Sequence, residues 1–286
     1  MFAGFNLDLS KNQDDCGKKI IDFSYYRYQG EKHLNSQKAD YENKLIEYVI
    51  YGTEGIVDGT KLQDDWFPEI EADIFISHSH KDLELAQGFA GWLNSKFGLK
   101  CFIDTNVWGY ADKLLDKINA DYSDRRLDKD GSYLYNHHKC NIASKHVNVM
   151  LSIALQKMID KLEATFVINT TNSVQRYADV HDNKTYSPWI YTEIICTEII
   201  RKKSLSEYRK MPINKFAFES AANEYKAAYT IPLKHLIDID SKILLKWEKD
   251  QRKPEYPLDI LYILTDIEEV KELKNVYNND TRILLR

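Results

Sequence analysis

The stretch DIFISHSHKD (73–82) places Ser77, His78 and Ser79 directly behind a short apolar run. Two hydroxyls, an imidazole and the N–H groups of a chain turning into a helix suit a ribose or a phosphate, because a helix N-terminus favours an anion. A plainer purpose fits as well. Ser79-x-x-Asp82 has the form of a helix capping box, and polar residues mark the place where any strand leaves the core. In SPWIYTEI (187–194), Trp189 and Glu193 stand four residues apart, which puts both side chains on one face of a helix. By helical pattern alone Glu193 reads as a solvated carboxylate, since Glu198 and Arg201 follow on the same segment. Trp189 suits either a bound aromatic ring or the core. Asp104 ends a second apolar run, KCFID (100–104), with Trp108 shortly after it. His137, His138 and Cys140 are metal-ligand types, but no second group lies at a zinc spacing, so the histidines read as a surface or loop pair.

The chain of 286 residues suits one elaborated domain or one and a half, with 43% hydrophobic and 29% charged residues. A net charge of -5 gives no electrostatic case for nucleic acid. No run approaches the roughly 18 apolar residues of a membrane span. The opening MFAGFNLDLSKNQDD lacks the basic start and apolar stretch of a secretion signal. Four scattered cysteines form no Cys-x-x-Cys pair; Cys101 and Cys196 lie in apolar patterns and read as reduced core residues. A cytoplasmic protein with no membrane and no nucleic-acid partner is expected.

Alternating strand and helix signals begin at residue 72. Residues 72–77 read as a strand covered on both faces, and the apolar spacing in LELAQGFAGWLNSKF predicts a helix that Gly98 ends. KCFID reads as a second strand, and 105–146 as a long, polar, irregular segment. NVMLSIALQKMIDKL (148–162) predicts a helix and ATFVIN (164–169) a third strand. Ser187-Pro188 offers an N-cap and a first-turn proline for a helix with a basic end. FAFESAANEYKAAY (216–229) looks helical, TIPL (230–233) a fourth strand, SKILLKWEKDQRK a helix, and LDILYILTD (258–266) either strand or helix. Repeated βα units predict a doubly wound parallel sheet with helices on both faces. Ligands of such sheets bind beyond the carboxyl ends of the strands, where SHSH and Asp104 fall.

DIFISHSHKD, the helix after it, GLKCFID, and then the Ser-x-Trp-x-x-x-Glu element of SPWIYTEI together resemble a bacterial Toll/interleukin receptor (TIR) domain. The resemblance spans roughly 72–270 and implies a flavodoxin-like fold. Two departures stand out: residues 1–70 have no counterpart in a minimal domain, and the segment after the second strand, with its YLYNHHKC, is a long insertion. The expected organisation is therefore an N-terminal extension over 1–70, partly helical through SQKADYENKLIEYVIYG (36–52), and a TIR-like domain over 71–286 with a C-terminal helical elaboration.

TIR domains are either scaffolds that self-associate or enzymes that cleave NAD at the nicotinamide–ribose bond, and the fold does not choose between them. The resemblance to the enzymes implies Glu193 as the catalytic carboxylate, with Ser77, His78, Ser79, Asp104, Trp108 and Trp189 around the substrate. NAD is then the substrate, with no further cofactor and no metal. A hydrolase or cyclase of this type implies a homo-oligomer on activation, a role in antiphage defence, and a separate effector that reads the product. A receiver domain is excluded, because Asp73 precedes its strand instead of ending it.

Overall fold

The computed structural model describes residues 1–9, 12–35, 52–53, 56–103, 105–176, 183–209, 229–252, 254–267 and 270. At its centre lies a five-stranded sheet of β1 (Ala3–Asp8), β2 (Ile74–Ser77), β3 (Cys101–Ile103), β4 (Ala164–Asn169) and β5 (Ile237–Asp240). Every pairing is parallel, and the spatial order is β5-β1-β4-β2-β3. Helices cover both faces: α1 (Gly59–Trp66), α2 (Leu83–Phe97), α3 (Thr105–Tyr122), α4 (His137–Lys161), α5 (Pro188–Ile199), α6 (Ser241–Lys249) and α7 (Leu258–Leu264). This is the parallel sheet with helices on both faces expected from the βα alternation, and it has the flavodoxin-like architecture that the resemblance implies.

One strand comes from an unexpected place. With β2 counted as the first strand of a flavodoxin-like sheet, the order 2-1-3-4-5 is reproduced, but β1 fills the fourth position. The boundary at residue 70 therefore runs through the sheet. Residues 3–8 are not peripheral; they pair with β4 along six positions and with β5 along four. Phe5, Leu7, Ile76, Phe166, Ile168 and Ile239 form one buried face, packed by α2, α6 and α7. The 23–35 segment crosses α2 so closely that a Cβ on Gly91 would lie 2.1 Å from the Tyr26 carbonyl oxygen. Backbone contact thus explains the glycine at position 91 of α2.

On the opposite face Phe75 and Phe102 meet α1, α3 and α4, and Val167 meets α5. The 105–146 segment is not irregular. Helices α3 and α4 pack against each other and are joined by an antiparallel hairpin, Arg126–Leu127 with Tyr133–Leu134. The predicted helix at 148–162 is the second half of α4, whose 25 residues extend about 37 Å. The six residues of β4 extend only about 20 Å. Because α4 leads straight into β4 and packs on the sheet from Val147 onward, its start overshoots the carboxyl edge.

Other expectations shift for local reasons. The proline in TIPL cannot donate to a ladder; the strand there is Tyr229–Thr230, in a small antiparallel sheet, and the remaining strand of the main sheet is Ile237–Asp240. Residues 258–264 are helical, and α5 stops at Ile199, so Arg201–Lys203 lie beyond it. The helices expected at 36–52 and 216–229 fall almost wholly outside the described residues. Among those described, no helix is long and apolar enough to cross a membrane.

Phe5 is fully buried, with its ring centroid 4.8 Å from that of Phe166. Phe5→Ala is expected to lower the unfolding free energy by about 3–5 kcal/mol in urea titration, the cost of truncating a core aromatic. A loss well below 1 kcal/mol would mean that β1 does not sit in the centre of the sheet.

Candidate functional site

Helix α5 starts as its sequence dictates. Ser187 Oγ accepts from the N–H of Ile190 at 3.2 Å, and Pro188 takes the first position, where no N–H is needed. Its buried residues are Ile190, Glu193, Ile194, Cys196 and Thr197. At 3.6 residues per turn, Trp189 and Cys196 face the Phe75–Phe102 cluster, while Ile190 and Ile194 face the Val167 cluster. Glu193 and Thr197 form a polar stripe between them.

That stripe meets the sheet. Ser77 Oγ, at the carboxyl end of β2, donates to Glu193 Oε2 at 2.6 Å, joining residues 116 apart in sequence. Ser77 lies on the face of β2 that carries Phe75, level with Val167 of β4. Ser77 is fully buried and Glu193 is 1% exposed. One turn along, Thr197 Oγ1 hydrogen-bonds with His235 Nε2 at 2.9 Å. The first contact clamps α5 at the carboxyl end of β2, and the second clamps it near the amino end of β5, two residues before Ile237.

The crevice between β2 and β4 is the switch point of this topology, because β2 has its chain successor β3 on one side and β4 on the other. A second polar group spans it. Asp82, itself buried, accepts from Thr170 Oγ1 at 2.6 Å and from Asn172 Nδ2 at 2.7 Å. The turn after β2 is thereby tied to the turn after β4. Farther along the rim, Asn169 Nδ2 donates to Asn6 Oδ1 at 3.0 Å, and Asn6 Nδ2 donates to Asp238 Oδ1 at 2.6 Å.

Of the site residues expected from sequence, Ser77 and Glu193 are in direct contact. His78 is buried beside Ser77, and Trp189 is half-buried against the α4-side cluster. Ser79 caps the turn His80–Asp82, its Oγ accepting from the Lys81 N–H at 3.4 Å. The capping box is only half formed, since the Asp82 carboxylate turns to Thr170 and Asn172. Asp104 and the side chain of Trp108 lie outside what the structure describes. His137 and His138 are exposed at the start of α4, and no group of three or more His, Cys, Asp or Glu among the described residues could hold a metal.

Sequence reasoning missed Asp82 as a rim residue and missed the Asn6–Asn169–Asp238 network. Asp82 was visible in Ser79-x-x-Asp82 but reads there as a cap. The asparagine network depends on β1, which the alternation from residue 72 does not reveal.

The chemistry available is that of one oriented carboxylate in a dry setting. Burial, with Asp160 next in effect, raises the Cys196 thiol pKa to about 12, so this neighbour three residues along α5 stays neutral. Burial also lowers the pKa of His235; Glu198 opposes that shift and Lys202 adds to it. Its neutral form is the one that favours folding. The stability it contributes is therefore present above the unfolded value near 6.5 and is lost as pH falls through the lower folded value. The melting temperature is expected to drop between pH 7 and pH 5, and His235→Gln to shrink that drop; an unchanged slope in the variant would remove His235 from the clamp.

No family model matches this chain, and neither a curated protein nor a solved structure matches it.

Proposed function

We propose that the chain cleaves NAD at the nicotinamide–ribose bond, with Glu193 as the central carboxylate, in the manner of the TIR enzymes that its two motifs resemble. One observation carries this reading. The Ser77 of the first motif and the Glu193 of the second meet in a 2.6 Å hydrogen bond at the carboxyl edge of the sheet, beside the switch point where doubly wound folds take ligands. A solvated helix carboxylate would not be 1% exposed and paired there.

The bond to be broken needs little from the protein. Nicotinamide leaves as a neutral molecule from a cationic ring, so no acid need protonate it. What remains is positive charge developing on the ribose, as in glycoside cleavage. A fixed carboxylate stabilises that charge and accepts hydrogen bonds from the ribose hydroxyls, and water exclusion strengthens both effects. In the free protein the Ser77 hydroxyl occupies the donor place a ribose hydroxyl would take. Substrate binding then exchanges one O–H···O contact for another, once Glu193 is uncovered. Ser79 and the turn after β2 offer further polar groups to the nucleotide. His78, next in sequence to Ser77, and Trp189, one turn before Glu193, are the other candidate contacts, and a product signal in antiphage defence with its own effector belongs to this reading.

The test is NAD loss and nicotinamide release by the purified protein at low and high concentration. Glu193→Gln keeps the shape and the Ser77 contact but removes the charge, so turnover is expected to fall by about a hundredfold or more. Turnover that survives the substitution would refute the site. No turnover at any concentration would favour a scaffold in which Ser77–Glu193 only fastens α5 to the sheet.

A further inference from the structure

The α3–α4 tip gathers most of the large apolar side chains that the described surface leaves exposed. Leu127, Tyr133 and Leu134 of its hairpin are 68%, 51% and 54% exposed, and Tyr122, Tyr135 and Ile142 at its base are also exposed. Singly exposed apolar residues are ordinary, but a cluster on one protrusion marks a contact surface.

The protrusion is built as a rigid element. Leu127 faces Tyr133 across the ladder, and the Arg125 guanidinium sits 4.2 Å from the centroid of the Tyr133 ring. The turn at its end closes with Asp128 N–H to Ser132 O at 2.8 Å and with Gly131 at φ +86°, a value that glycine adopts freely. At the base, Asn136 N–H donates to Ser123 O, and Lys139 pairs with Asp124 at 2.6 Å.

Directly beside this knob lies a hole. A cavity of about 530 Å³ opens between α1, α3 and α4, walled mainly by Val57, Leu62, Ile118, Tyr122, Ile142 and Met150. Tyr122 and Ile142 belong to both the hole and the exposed cluster. A knob and an apolar hole on one surface fit each other in a two-fold dimer, where each patch meets its own counterpart. Charge points the same way. Residues 121–140 carry Asp121, Asp124, Asp128 and Asp130 against Arg125, Arg126, Lys129 and Lys139, so the acidic and basic groups balance. A balanced, mixed-sign patch complements itself and offers nothing to an anionic membrane or a nucleic acid.

We infer that this tip is a homodimer surface, on which the hairpin of one copy seats in the α1–α3–α4 cavity of a second copy. The surface projects past the carboxyl edge of the sheet, on the side where Ser77 and Glu193 lie. The interface does not depend on the NAD reading.

Sedimentation equilibrium of the full chain from nanomolar to high micromolar concentration tests it. A monomer–dimer equilibrium is expected, and Leu127→Asp with Leu134→Asp should weaken it at least tenfold while leaving the circular dichroism spectrum unchanged. Placement is tested by oxidising a mixture of Leu134→Cys and Met150→Cys chains, both with Cys16→Ser and Cys140→Ser, the two free thiols that are not buried. A heterodimeric disulfide is expected only if knob meets hole. A wild-type monomer throughout, or a dimer indifferent to the paired substitutions and yielding no such disulfide, would overturn the inference. Flotation of a monomeric wild type with phosphatidylcholine vesicles, lost in the same pair, would overturn it too and give the hairpin to a lipid surface.

Discussion

A carboxylate removed from water has to be held by donors, and at the carboxyl edge of this sheet that requirement fixes the geometry. Glu193 is 1% exposed, and the donation from Ser77 Oγ at 2.6 Å sets the height and rotation of α5 on β2. With Glu193 anchored, Ile190 and Ile194 fall onto Val167 of β4, and Cys196 and Trp189 onto the Phe75–Phe102 cluster. The apolar contacts supply most of the stabilisation; the hydrogen bond decides their register. Thr197 and His235 repeat the arrangement one turn later.

The sheet that receives α5 is completed by the start of the chain. Without β1, strands β4 and β5 would have no neighbour between them, because β1 pairs with both. The position also accounts for the alternation within β1. Phe5 and Leu7 point into the buried face with Phe166 and Ile168, whereas Gly4, Asn6 and Asp8 point to the other face. There Asn6 links Asn169 to Asp238 and carries the polar rim across three strands. The Asp82 contacts to Thr170 and Asn172 continue that rim to the turn after β2. The candidate site is thus one end of a polar edge with several elements, not an isolated pair.

What could be read in the sequence follows from these faces. Strands β2 and β4 are covered on both sides, so they appear as continuous apolar runs, and their bounds are legible. The N-cap at Ser187-Pro188 and the stop at Gly98 are legible because each is a local steric requirement. Strand β1 is not, since its polar alternation serves the Asn6 network and resembles an exposed segment. Strand β5, IDID, lies at the sheet edge and alternates likewise. The hairpin between α3 and α4 is exposed and charged, so a polar pattern concealed two helices. The pairing of Ser77 with Glu193 was foreshadowed only by the family resemblance of the two motifs; no spacing rule joins residues 116 apart.

The location of ligand binding is the claim on which the rest of the account turns, and hydrogen–deuterium exchange tests it directly. The Glu193→Gln protein, with and without saturating NAD, should show slowed exchange in two separate segments, 74–82 and 187–197, with little change in β5 or the Arg126–Leu134 hairpin. Protection absent from both segments, or confined to other elements, would contradict a nucleotide site at the Ser77–Glu193 edge.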